Sequence, residues 1–209
     1  IGIILLLVKP IDSSASLLSV AMGLGGGLSQ SVALMLIWLS FRTEEVSRVI
    51  PVVQTFPIFV AILAATLLNE SLGLLDWVAI MLVVAGAVII SAHRAPGRGV
   101  FLNRSFFLLV LASFAVAVSQ ILAKEALYEV SRWNMLGLFM VALPLGFSVI
   151  ALRRSYIKEV SEVIRKPWPL SWIVADQIAA LIGNLLRFAA FSIGPVSLVS
   201  TVLATRPFF

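Results

Sequence analysis

Long apolar stretches separated by short polar ones run the length of this chain, and their lengths set its architecture. A stretch over 1–8 reads as the end of a helix, closed by Lys9-Pro10 and the polar turn Asp12-Ser13-Ser14. Apolar runs of about twenty residues, enough to cross the ~30 Å bilayer core as helix, then predict helices over 15–41, 46–68, 74–91, 106–127, 134–152 and 170–191. Between the last two, 153–166 alternates Arg153, Arg154, Lys158, Arg165 and Lys166 with Tyr156, Ile157, Val160, Val163 and Ile164. That mixture predicts a helix lying on an anionic membrane surface, with Trp168 and Trp172 in the interfacial belt beyond it. A further span begins after Gly194-Pro195.

The segment 46–70 organises the rest. Prolines at 51 and 57 interrupt it, and Pro57 is expected to free a backbone carbonyl inside the helix, with Gln54 three residues before it. Its first part returns 150 positions later: Val46, Ser47, Val49, Val52, Thr55, Pro57 and Phe59 meet Val196, Ser197, Val199, Val202, Thr205, Pro207 and Phe209 without a gap, and Phe41 falls on Phe191. The register keeps Ser, Thr and Pro as well as aliphatics, which favours a repeat over the chance likeness of apolar segments. Internal repeats in a membrane chain are a mark of secondary transporters.

The stretch from Ala33-Leu34 to Pro57, the ending Leu68-Asn69-Glu70, the helix from Asp76-Trp77 to Ala85-Gly86-Ala87-Val88, and Gly194-Pro195-Val196-Ser197 to Pro207 together resemble the EamA family of the drug/metabolite transporter superfamily. The resemblance implies an all-α polytopic membrane bundle of ten helices in two five-helix inverted repeats, moving small metabolites, amino acids or drugs. On that pattern the chain divides into a first repeat at 1–92, a linker at 93–104 and a second repeat at 105–209. Both ends look cut, with the first and tenth helices and most of the second and ninth expected outside it. An acidic residue also stands in the family where Glu70 stands, which implies an architectural role.

Composition narrows the function classes. Apolar residues make up 61% and charged residues 12%, with a mean hydropathy of +1.10, against about half and a quarter in soluble domains. The chain has no cysteine, so thiol catalysis and Cys-ligated metals are excluded, and His93 is its one histidine. An enzyme working on lipid head groups would need clustered carboxylates or histidines, and the sequence offers only Glu44-Glu45 and scattered singles. The expectation is a non-enzymatic transporter without cofactor or metal. Its partners are a small solute and the lipid bilayer rather than nucleic acid, with a homodimer left open as the assembly. A sensor or assembly subunit that binds solute without moving it is the alternative.

Six residues are candidates for solute contact: Gln30, Gln54, Gln120, Asn184, Arg187 and Arg206. Gln177, Asn184 and Arg187 fall within about a quarter of one helix circumference. An intramembrane arginine costs about 2.5–3.5 kcal/mol on insertion scales, so it needs a partner or a wet cavity, and its planar fork suits a carboxylate or phosphate. The structural reading of Arg187 is an ion pair with Asp176 or extension towards the membrane surface. Arg206 takes the place of Phe56 in the other half. On another helix Ser113, Gln120 and Lys124 share a face, with Lys124 expected to reach for the interface. Ser19, Gly23, Gly26 and Gln30 share a face that suits close helix approach. The loops holding Arg42, Arg48, Arg94, Arg98, Arg104, Arg153, Arg154, Lys158, Arg165 and Lys166 carry ten of the fifteen basic residues. The positive-inside rule puts them in the cytoplasm of a multi-pass inner-membrane protein, whereas the family pattern, with cytoplasmic termini, implies the reverse.

Overall fold

A computed structural model describes residues 2–11, 15–93, 104–151 and 167–205, which are helical throughout apart from connecting turns, with no strand among the described residues. In chain order the helices are α1 (Gly2–Val8), α2 (Leu17–Ser40), α3 (Val46–Val53), α4 (Phe56–Leu67), α5 (Leu74–His93), α6 (Arg104–Ala126), α7 (Arg132–Ala151), α8 (Pro167–Ile193) and α9 (Val196–Leu203). Among the described residues, four segments are long and apolar enough to cross a membrane: Leu17–Ser40, Val49–Leu67, Arg104–Ala126 and Ser171–Ile193. The surface helix expected at 153–166 and most of the linker at 93–104 lie outside the described residues.

One expectation is corrected. The segment 46–68 is two helices rather than one kinked helix, because α3 stops at Val53 and α4 restarts at Phe56 after the turn Gln54-Thr55. Pro57 stands in the first turn of α4, where an absent N–H costs nothing. Crossing the bilayer at Val49–Leu67 thus includes a break.

Helix ends explain themselves locally. Ser16 caps α2, its Oγ accepting from the Ser19 amide at 3.2 Å. Asp76 closes a reciprocal cap on α5, its Oδ2 accepting from the Gly73 amide at 2.8 Å while its own amide donates to the Gly73 carbonyl at 3.1 Å. Beyond α4, Asn69 takes a left-handed φ of 52°, a conformation asparagine tolerates at helix ends. The amides of Leu68 and Glu70 then both reach the Ala64 carbonyl, at 3.0 and 3.1 Å.

The core is the packing of α2 on α6 and α7, with α1 on α7 and α4 on α6. Close approach is written into α2: a Cβ on Gly26 would lie 3.1 Å from the Ser119 carbonyl oxygen, and one on Gly27 only 2.6 Å from the Ala142 Cβ. The glycines therefore serve packing, as small residues do in membrane bundles. Phe139, Phe188, Phe191 and Met135 are fully buried at the meeting of α7 and α8, while Leu75, Leu82, Phe107 and Leu186 face outward for acyl chains to cover.

Two cross-contacts fix direction. Glu129, just after α6, meets Ser16 at the start of α2, and Thr43, just after α2, meets Ser105 at the start of α6 at 3.0 Å, so these helices are antiparallel. Lys124 near the end of α6 meets the end of α8. Helices α2 and α8, which start 150 positions apart at Leu17 and Pro167, therefore run in opposite directions. Helices α3 and α9 keep the same offset at both bounds, Val46–Val53 against Val196–Leu203.

Candidate functional site

The polar face of α6 is a seam. Ser113 Oγ lies 2.9 Å from the Leu109 carbonyl of its own helix and 3.2 Å from both the Val52 and Val53 carbonyl oxygens, and Val53, the last residue of α3, is one of the carbonyls that a helix end leaves without an intrahelical donor. The hydroxyl's single proton is shared among these carbonyls, and the Ser113 side chain is the polar group that α6 brings to the end of α3. Gln120, 2% exposed, accepts a hydrogen bond through its side-chain oxygen from Ser200 of α9. Lys124 Nζ donates to the carbonyls of Phe191 at 2.6 Å and Gly194 at 2.9 Å, closing the C-terminal end of α8. A cation there meets orphan carbonyls and the negative end of the helix dipole. Lys124 does reach towards the helix end, but carbonyls rather than water receive it.

Arg187 lies half-buried on α8, where its guanidinium stacks 5.1 Å from the Phe139 ring and 5.0 Å from the Phe188 ring. The two rings meet edge to face at 5.5 Å and set the plane of the cation. Asp176 is eleven residues away on the same helix, about 16 Å of rise, and accepts from Gln177 Nε2 at 3.2 Å. Along the helix between them, a Cβ on Gly183 would meet nothing within 4 Å, and Asn184 is half-buried one turn from Arg187.

The other candidates stand apart. Gln30 and Gln54 each bury a side-chain oxygen that has no hydrogen-bond partner among the described residues, Gln30 on α2 and Gln54 in the break between α3 and α4. Their neighbours set their depth. Ser29 Oγ donates to the Ala115 carbonyl at 2.8 Å and Ser113 holds the break, so both glutamines lie at the level of the middle of α6. Arg206 lies outside the described residues. The structure therefore joins Arg187 and Asn184 on one face, ties Gln120 into the α6 seam, and leaves two buried acceptors near mid-depth.

Two carboxylates were not legible as partners. Glu70 accepts through Oε1 from the Val196 amide at 2.7 Å and through Oε2 from the Ser197 hydroxyl at 2.7 Å, so it caps α9. Glu129 Oε2 accepts from the Ser16 amide at 2.7 Å and the Ser19 hydroxyl at 2.8 Å, so it caps α2. The Ser16 side chain and amide, then the Ser19 hydroxyl, hold the Glu129 carboxyl below its ordinary value, while burial pushes it up. Only the serines near each helix start hinted at this, since spacings of 110 or more residues carry no pattern.

An apolar groove lined by Trp77, Val78, Met81, Leu82 and Ala85 lies along α5. It suits an acyl chain rather than a polar solute. The EamA-like transporter family matches residues 1–92. No curated protein matches, and no solved structure does.

Proposed function

We propose, from the match of residues 1–92 to the EamA-like transporter family, a family of membrane transporters of the drug/metabolite kind and not of enzymes, that the chain moves a small organic solute by alternating access. The two halves, 1–92 and 105–209 about a linker at 93–104, act as inverted five-helix repeats. The opposite directions of α2 and α8 and the matching bounds of α3 and α9 support this reading. The protein sits in the inner membrane, with its basic loops in the cytoplasm by the positive-inside rule.

Arg187 is the centre of the solute site. The observation that carries this is its guanidinium stacked on two aromatic faces within the membrane-crossing part of α8. Such a fork is pre-organised for a carboxylate or phosphate. Asn184 supplies a polar contact one turn away, and the buried oxygens of Gln30 and Gln54 would accept from solute donors deeper in the bundle. Gln120 supports the site through Ser200, and Arg206 adds a second cation. The substrate is an organic anion or an amino acid.

Flux in proteoliposomes tests this with a panel of amino acids, organic acids, amines and sugar phosphates. Saturable uptake lost in Arg187→Ala supports transporter and site together. Uptake indifferent to that substitution keeps the transporter and removes the site. Solute binding without flux favours the sensor.

A further inference from the structure

We propose that Glu70 is the latch of a gate between the two halves, and that the structure shows the Glu70 end shut. This rests on the transporter reading above and adds to it which contact must break for that end to open. The latch is built from both halves. Glu70 stands at the end of α4, on an arm set by the left-handed Asn69, and its carboxylate spans 126 residues of sequence to the first turn of α9. The N-cap of α9 is Pro195, which places no side-chain hydrogen bond on the helix, so the first-turn donors are satisfied from outside. Hydrogen bonds to an ionised acceptor are about twice as strong as neutral ones, which makes this the strong tie at that end.

The repeat gives the tie its meaning. Val46-Ser47 opens α3 as Val196-Ser197 opens α9, so the same helix start stands at opposite ends of the molecule. At the α3 start the N-cap is Glu45, which places no side-chain hydrogen bond on the helix either. Below the clamp the column stays closed: Ser200 holds Gln120, and Ala204 is 0% exposed. Lys124 fastens the same α8–α9 turn from the second half, so when Glu70 lets go, that turn leaves with α6 and not with α4.

The chain has no cysteine, so Ala204→Cys introduces a single thiol under the latch. Its labelling by a membrane-impermeant maleimide added at the Glu70 end, in proteoliposomes holding the full chain, reads opening directly. Glu70→Gln should speed labelling about tenfold, equivalent to ~1.4 kcal/mol of lost closure. Ser197→Ala, which keeps the Val196 bond, should speed it about threefold. Should Glu70→Gln fail to insert, Ser197→Ala decides alone. Labelling within about twofold of the parent in the folded variants overturns the latch. Saturable flux beside unchanged labelling discards the latch and keeps the transporter, whereas faster labelling without any flux supports the gate and removes the transport reading.

Discussion

Lys124 and Glu129 show what single charged residues do in this bundle. Each answers a helix end in another part of the chain, Lys124 the carbonyls closing α8 and Glu129 the amide and hydroxyls opening α2. Lys124→Met keeps the stem and removes the donor, so it should lower stability by ~1–2 kcal/mol, seen as a lower thermal midpoint in detergent. An unchanged midpoint would mean that the carbonyls find water instead. Glu129 predicts a pH effect. Its carboxyl is held below the ordinary 4.5, so its contribution is fully present above that value and is lost as pH falls through the lower folded value. The midpoint should therefore drop as pH falls below 4.5 towards the lower folded value, and Glu129→Gln should flatten that slope. From sequence, Lys124 was legible as a residue near a helix end on the face of Ser113 and Gln120. Its target was not, because contact with a carbonyl 67 residues away depends on how helices stack and leaves no spacing to read.

At the scale of elements, the sequence placed an interruption within 46–68 but neither the full break at Gln54-Thr55 nor how it is satisfied. Pro57 suggested a kink, whereas the structure starts a new helix there, and only the packing of α3 on α6 brings Ser113 Oγ to the Val53 carbonyl. Ser113→Ala leaves that carbonyl buried without its donor and should cost ~1–3 kcal/mol by reversible unfolding, while Ser113→Thr should recover much of it. The glycines of α2 and α8 make a paired prediction. Gly27→Ala puts a methyl 2.6 Å from Ala142 and should destabilise by ~1–3 kcal/mol. Gly183→Ala meets nothing within 4 Å and should be neutral or stabilise α8 by up to ~1 kcal/mol. Equal effects at the two sites would contradict the packing described for α2. The face of α2 was legible from glycine spacing, whereas the difference between its glycines and Gly183 was not, because only neighbours separate a packed glycine from an open one.

For the whole molecule, the likeness at an offset of 150 was the most informative line in the sequence, and α3 and α9 share that offset at both bounds, which supports the proposed repeat. It was legible because the repeat preserves small polar residues that lipid-facing segments do not require. The candidate site was legible only in part. Arg187 and Asn184 could be placed on one face by periodicity, but the aromatic bed under Arg187 pairs α7 with α8 and no local pattern announces it. Gln120 looked like a cavity residue, yet Ser200 of α9 takes its oxygen. These observations support the proposal of a carrier with Arg187 at its solute site.

Counterflow in proteoliposomes tests that claim most directly. Vesicles are loaded with an unlabelled solute found by the uptake panel and given a trace of labelled solute outside. A carrier that exposes one site alternately to each side predicts a transient overshoot of label above its equilibrium level, saturable in the loaded solute and absent in Arg187→Ala. Uptake that rises without overshoot to equilibrium, or solute bound with no passage inside, would contradict it.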